Sequence, residues 1–272
     1  MTIDGLPPLR TVFISDVHLG YRGCQSDYLL SFLKNVRTET LVLVGDIVDV
    51  WSLKRSVYWP NEHQAILKEI FALAKRGTRV IYIPGNHDEQ ARVLAGAWVA
   101  GIEVHAQWTY ETATGRRFWV VHGDEFESAV KFSWLLKLVG ERLYDSLMWT
   151  GRLIQKTRRR FGLGHWSLAA WIKSRVPDAR LFIERFESTA AAAAKRRGFD
   201  GVICGHMHVP KVRSIADVLY INDGDWVEHC TALTEDRNGR LALIEWTDGI
   251  KILAVDGGHA EALPLLPLPS AA

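Results

Sequence analysis

The chain has 272 residues, of which 48% are hydrophobic and 24% are charged. These proportions are typical of globular proteins and exclude a disordered or fibrous chain. No run approaches the roughly 18 apolar residues of a membrane span, and the first residues show no export signal. Three widely spaced cysteines, Cys24, Cys204 and Cys230, argue against a disulfide framework, so we expect a cytoplasmic protein.

The net charge of +2 conceals two oppositely charged parts of the chain. Residues 128–197 contain 15 Lys and Arg against 5 Asp and Glu, whereas the remaining residues contain 18 against 26. This asymmetry indicates two separate roles along the chain. We predict a core over residues 1–127 and 198–262, a helical, basic and Trp-rich insertion over 128–197, and a flexible tail over 263–272.

Strand-like and helix-like patterns alternate through the first 83 residues. In chain order they predict a strand over 10–15, a helix over 27–37, a strand over 40–44, a helix over 62–75 and a strand over 79–83. Apolar strands that alternate with helices favour an α/β sheet covered on both faces.

Later segments read as a hairpin, a helix and further strands. Residues 107–112 and 116–121 flank Ala113-Thr114-Gly115, which is typical of a hairpin. Alanines 190–194, followed by three basic residues and Gly198, indicate the end of a helix. Short strands are predicted over 201–204, 218–222, 241–246 and 250–255, which gives two sheets with helices outside them.

Five of the apolar runs are followed at once by residue types that bind metals. These segments cover residues 15–18, 45–49, 85–88, 122–124 and 205–208. Open α/β sheets place their ligand crevice at the carboxyl ends of strands. Side chains two residues apart in an extended stretch point to the same side, so Asp16 with His18, and His206 with His208, are placed to converge. One such segment alone is equally typical of a polar strand end, but five together favour a metal site.

The ordered set Asp-x-His, Gly-Asp-x-x-Asp, Gly-Asn-His-Asp, His-Gly and Gly-His-x-His resembles the calcineurin-like metallophosphoesterase superfamily. The longer segments around these motifs, such as Gly-Asp-Ile-Val-Asp-Val-Trp and Gly-His-Met-His-Val-Pro, are similar to those of the UDP-2,3-diacylglucosamine pyrophosphatase branch of lipid A synthesis. The resemblance implies a four-layer α/β/β/α sandwich with a helical cap. It also implies hydrolysis of that pyrophosphate to lipid 1-phosphate and UMP. Another lipid or nucleotide phosphoester is the alternative, and a nuclease or a non-catalytic scaffold is less favoured.

Carried over residue by residue, the resemblance implies two divalent metal ions that share one carboxylate. The ligands of one ion would be Asp16, His18, Asp46 and His208, and those of the other Asp46, Asn86, His122 and His206. The closest branch implies Mn²⁺, while such mixed ligands also suit Fe²⁺ or Zn²⁺.

His87 is expected to act on the substrate rather than on a metal. It is placed to donate to a phosphoryl oxygen or to protonate the leaving group, with Asp88 orienting its ring. Asp49 and Asp124 are candidates for hydrogen bonds to histidine N–H groups, with loop capping as the alternative. The best-described members of the lipid A branch carry arginine where this sequence has His87, so the substrate stays open between the two alternatives.

The insertion mixes basic residues with tryptophans, a composition that suits an anionic bilayer surface or a lipid substrate. The candidate contact residues are Trp134, Trp149, Arg152, Arg158, Arg159 and His165. We expect a nucleotide-linked lipid as substrate and peripheral association with the inner face of the inner membrane. Packing between two helical layers is the alternative. Nucleic acid is not an expected partner, because no nucleic-acid fold is recognisable, and the oligomeric state is left open.

Overall fold

The computed structural model describes residues 7–127, 175, 177–247, 249–256 and 266–267. Its helices are α1 Ser26–Asn35, α2 Val50–Arg55, α3 Asn61–Lys75, α4 Asp124–Glu127 and α5 Pro177–Arg196, with a 3-10 helix at Glu89–Leu94. Its strands are β1 Leu9–Ile14, β2 Thr38–Val44, β3 Arg79–Ile83, β4 Trp98–Val99, β5 Ile102–Val104, β6 Trp108–Glu111, β7 Arg117–Val120, β8 Gly201–Cys204, β9 Lys211–Ile215, β10 Val218–Asn222, β11 Thr231–Glu235, β12 Leu241–Trp246, β13 Gly249–Val255 and β14 Leu266–Pro267.

The described strands form two sheets. The first has the order β14-β13-β12-β11-β1-β2-β3-β5-β4, and the second has the order β6-β7-β8-β10-β9. Strands β1, β2, β3 and β5 run parallel, with Val12 beside Leu41 and Leu41 beside Val80. The predicted hairpin is confirmed, since β6 and β7 pair antiparallel.

Apolar side chains between the two sheets form a buried core. Phe13 and Val42 of the first sheet belong to the same cluster as Phe118 and Ile203 of the second. Such burial of the inner faces joins two sheets into a sandwich.

Helices cover the outer faces of both sheets. Phe32 of α1 and Ile70 of α3 pack on the first sheet, because their side chains join the core cluster of Leu41. Phe186 and Ala190 of α5 pack on the second sheet. The layers therefore follow the order α/β/β/α, which confirms the predicted fold class.

Helix α5 falls inside the predicted insertion by residue number but packs against β8 and β10 of the core. The predicted tail also contains a strand, since Leu266 pairs with Ile250 of β13. Candidate cap residues Trp134, Trp149, Arg152, Arg158, Arg159 and His165 lie outside the described residues. Among the residues that the structure describes, no helix has both the length and the apolar character to cross a membrane.

Candidate metal centre

The loops that follow β1, β2, β3, β7 and β8 bring the predicted ligands to one edge of the sandwich. Among the described residues, three groups have potential ligand atoms within 4.8 Å of one another, and two of them consist of predicted ligands. The first of these two is Asp16, His18 and His208, and the second is Asp46, His122 and His206; the remaining group is His18, Asp49 and His87. Asn86 joins the second group, with its Oδ1 3.2 Å from Nε2 of His122. The structure thus brings all seven predicted ligand residues to one edge of the sandwich, and their assignment as metal ligands stays a prediction.

Asp46 lies between the two groups. Its Oδ2 is 3.3 Å from Nε2 of His122 and 3.8 Å from Nε2 of His18. Its Oδ1 accepts a hydrogen bond of 2.8 Å from the backbone N–H of His87. One carboxylate oxygen therefore faces histidines of both groups, as a bridging ligand requires.

Five of the seven candidate ligands adopt the left-handed backbone conformation. Their φ angles are 50° at Asp16, 54° at His18, 54° at Asp46, 67° at His206 and 50° at His208. Residues other than glycine adopt this conformation at a cost, and such residues cluster at functional sites. The strained loops therefore support a functional role for this edge.

Two glycines allow the close packing around the second group. A Cβ atom on Gly45, where φ is 84°, would lie 2.3 Å from Nδ1 of His122. A Cβ atom on Gly85 would lie 2.3 Å from Oδ1 of Asp46. No side chain fits at either position without displacing a candidate ligand.

The electrostatics of the centre favour positive charge. Burial by itself lowers the pKa of His122, but the facing carboxylates of Asp46 and Asp16 raise it to about 10. Burial raises the pKa of Asp16, yet His208 and His18 hold it well below its usual range. Carboxylates held charged in a buried site attract either protons on histidines or a metal cation.

A buried oxygen of Asp16 tests whether a cation fits. Among the described residues, Oδ1 of Asp16 has no well-aligned hydrogen-bond donor, although Nε2 of His208 lies 3.0 Å away. Buried polar atoms normally have a partner, and a metal ion would supply one here. The donor set of carboxylate, imidazole and amide groups fits divalent ions such as Mn²⁺, Fe²⁺ or Zn²⁺.

Asp49 contacts both a candidate ligand and His87. Its Oδ2 is 3.2 Å from Nδ1 of His18, and its Oδ1 is 3.0 Å from Nδ1 of His87. Ser52 donates to the same carboxylate through its backbone N–H at 2.7 Å and its hydroxyl at 2.8 Å. Burial raises the pKa of Asp49, but the two histidines hold it far below the usual range. A charged Asp49 therefore fixes both rings.

Asp88 has a different role from the predicted one. Its buried carboxylate accepts hydrogen bonds from the backbone N–H groups of Gly85 at 2.6 Å and Ile47 at 2.7 Å. The carboxylate that hydrogen-bonds to the His87 ring is that of Asp49. The structure therefore corrects the prediction: Asp88 joins two site loops, and Asp49 orients His87.

Asp124, a candidate for a hydrogen bond to a histidine N–H group, contacts an arginine instead. Asp124 pairs with Arg92 at 2.8 Å, whereas Oε2 of Glu127 lies 3.1 Å from Nε2 of His206. Sequence reasoning missed Glu127, because 79 residues separate it from His206 and no spacing signals the contact.

Asp225 is a second residue whose place the sequence did not reveal. It is fully buried, with Oδ2 2.6 Å from Nδ1 of His229 and Oδ1 4.0 Å from Nδ1 of His208. The signal available was its place in the word Asn-Asp-Gly-Asp-Trp, which is equally typical of loop packing.

The sequence profile of the family described as calcineurin-like phosphoesterase matches residues 9–210. The chain belongs to this family. Membership, together with hydrolase-named relatives, makes it a metal-dependent phosphoesterase.

Three curated relatives are each named UDP-2,3-diacylglucosamine hydrolase. The protein from Ralstonia nicotianae is 28% identical over 74% of this chain and 77% of its own length. The protein from Xanthomonas campestris pv. campestris is 25% identical over 86% and 98%. The match to the Porphyromonas gingivalis protein is 27% identical but spans only 46% of this chain and 50% of that protein.

Solved structures similar to the chain include Vps29 from Entamoeba histolytica, at 13% identity and a TM-score of 0.43, covering 91% of this chain and 93% of that one. An archaeal phosphodiesterase has 15% identity and a TM-score of 0.41, covering 86% and 98%. At these identities and TM-scores, the similarity to solved structures adds nothing to the family assignment.

Proposed function

We propose that the chain hydrolyses the pyrophosphate of UDP-2,3-diacylglucosamine to UMP and lipid 1-phosphate at a binuclear metal centre. The observation that carries this proposal is the position of Asp46 between two groups of candidate metal ligands. Two relatives named for this substrate, matched over most of both chains, support the choice of substrate.

In this proposal Asp16, His18 and His208 hold one divalent ion, Asn86, His122 and His206 hold the other, and Asp46 is shared. We propose Mn²⁺ as the native metal, with Fe²⁺ or Zn²⁺ as the alternatives that the same ligands suit. When bound, two such ions neutralise charge on the phosphoryl group and make a water molecule nucleophilic near neutral pH.

His87 is the residue that we propose to act on the leaving group. Its Nδ1 is held by Asp49, so Nε2 is the nitrogen left to donate a proton to the departing phosphate oxygen. The ring also packs against Trp51, with centroids 4.2 Å apart and planes tilted by 33°, which restricts its orientation. Asp49 stays ionised because its pKa is low, and it stabilises the protonated ring.

A different lipid or nucleotide phosphoester is the second candidate substrate. The observation that favours it is His87, since histidine at this position is the general superfamily form, whereas the best-described members of the lipid A branch carry arginine. We also propose that the basic, Trp-rich insertion contacts the lipid and an anionic membrane surface, on the strength of its composition alone.

The test is to incubate Mn²⁺-loaded protein with UDP-2,3-diacylglucosamine and to follow UMP by mass spectrometry. Asp46→Asn is the blank. Asp217→Asn, which alters a side chain 98% exposed on the surface, is the matched control. The proposal predicts UMP from the wild type and from Asp217→Asn only. Turnover of a generic aryl phosphodiester without UMP release would keep the metal centre and overturn the substrate.

A further inference from the structure

A cavity of about 190 Å³ lies between α3 and the outer face of the first sheet. Ile70 of α3 and Leu43 of β2 form its buried floor. Phe71, Leu94 and Val99, which are 36%, 40% and 42% exposed, line its mouth. The cavity therefore reaches from the surface into the core, and none of its lining residues belongs to the metal centre.

The lining selects for hydrocarbon. Every lining side chain is aliphatic or aromatic, and Tyr82 carries the one side-chain hydroxyl. A bound water molecule needs two to four polar partners, so an apolar lining holds water poorly and favours an apolar ligand. Apart from the Tyr82 hydroxyl, the lining side chains offer no polar group to a ligand.

The cavity shares a wall with the metal centre. Ile47 and Val48, which line it, directly follow Asp46 in the chain. The Asp88 carboxylate accepts hydrogen bonds from the backbone N–H groups of Asp46 at 3.3 Å and Ile47 at 2.7 Å. The loop that presents the shared ligand is therefore the same loop that closes the cavity.

We propose that this cavity binds the end of one acyl chain of the lipid substrate. The identity of the lipid rests on the proposed function, whereas hydrocarbon binding rests on the cavity. Burial of each methylene strengthens binding about fourfold, so affinity should rise with chain length and level off once the cavity is full.

Direct binding is measured with cis-parinaric acid, a fluorescent fatty acid, displaced by saturated fatty acids of increasing length. Leu67→Trp fills the cavity from α3, and Val99→Asp places a charge at its mouth. Val57→Trp, at a site 83% exposed outside the lining, is the control. Thermal melting identifies variants that remain folded. We expect probe binding to be at least tenfold weaker in both cavity variants and unchanged in the control. No binding to the wild type, or equal binding to all folded variants, would overturn the proposal.

Turnover separates this proposal from the proposed function. The KM for UDP-2,3-diacylglucosamine should rise at least tenfold in Leu67→Trp and Val99→Asp, while kcat/KM for bis(p-nitrophenyl) phosphate stays within twofold. An unchanged KM would overturn the acyl-chain assignment. The wild type could release no UMP but bind parinarate, with both cavity variants losing that binding. In that case the proposed function fails and the hydrocarbon site is supported.

Discussion

Nδ1 of His87 lies 3.0 Å from Oδ1 of Asp49 at the rim of the candidate metal centre. The same carboxylate holds Nδ1 of His18, so one residue links a candidate metal ligand to the proposed proton donor. Although burial raises the pKa of Asp49, its contacts with His18 and His87 hold that pKa far below the usual range, so Asp49 is charged at neutral pH.

The loss of activity on removal of the proposed proton donor should depend on the leaving group of the substrate. His87→Gln is expected to lower kcat about 10²- to 10⁴-fold on UDP-2,3-diacylglucosamine, since general acid catalysis contributes that much. On bis(p-nitrophenyl) phosphate the loss should be much smaller, because p-nitrophenolate leaves without a proton. Parallel steady-state assays with both substrates check this. Equal losses on both would mean that His87 binds or positions the phosphoryl group and does not protonate the leaving group.

Removal of the shared carboxylate should lower the metal content without unfolding the protein. Asp46→Asn is expected to lower the bound metal from two ions per chain to one or none, because both groups lose a charged ligand. Dialysis against Mn²⁺ followed by elemental analysis measures the content, with Asp217→Asn in parallel. A variant that retains two ions and full activity would contradict the assignment of Asp46 as the bridge.

Metal binding should release protons near neutral pH. The pKa of His122 in the metal-free centre is about 10, above the ordinary value of 6.5, whereas a ligand histidine must be neutral. The contribution of its protonated form to stability is fully present below pH 6.5 and is lost as the pH rises through about 10. Mn²⁺ affinity should therefore increase from pH 7 towards pH 10. Titration calorimetry in buffers of different ionisation enthalpy counts the protons, and a count of zero would contradict this electrostatic description.

The glycine beside Asp46 should tolerate no side chain. Gly85→Ala places a Cβ atom 2.3 Å from Oδ1 of Asp46 and should reduce activity and metal content at least a hundredfold. Gly77→Ala is the comparison. Its φ of 97° strains alanine, but the added Cβ atom would meet no neighbouring group within 4 Å. That variant should lose about 1 kcal/mol of stability and keep its metal. Denaturant unfolding and elemental analysis distinguish the two, and a metal-loaded, active Gly85→Ala protein would refute the close packing.

The sequence predicted the parts of the fold that obey simple patterns. Strands such as β3, β8 and β10 lie at their predicted bounds, because each is a continuous apolar run between turn signals. Strand β11, Thr231–Glu235, was missed although all five residues are buried. Its threonines and Glu235 read as polar, and the side chain of Glu235 is buried by pairing with Arg10, which lies 225 residues away.

In the candidate site, too, the sequence predicted some features and missed others. The position of its candidate metal-binding segments was predictable, because parallel strands place their carboxyl ends at one edge of the sheet. The hydrogen-bond partners of those residues were not predictable, because they depend on the conformation of the loops. Asp88 follows His87 directly, yet its side chain turns to the backbone of Ile47, and Asp49, 38 residues away, reaches the His87 ring. Adjacency in sequence does not report side-chain direction in loops with left-handed residues.

The most direct test of the account compares kcat/KM of the Mn²⁺-loaded protein for UDP-2,3-diacylglucosamine and for UDP-N-acetylglucosamine, which lacks the two acyl chains. Both substrates carry the same uridine pyrophosphate, so the metal centre and His87 treat them alike. The account predicts UMP from the lipid at least a hundredfold more efficiently, with Asp46→Asn inactive on both. Equal efficiency, or a preference for the sugar nucleotide, would contradict a lipid substrate.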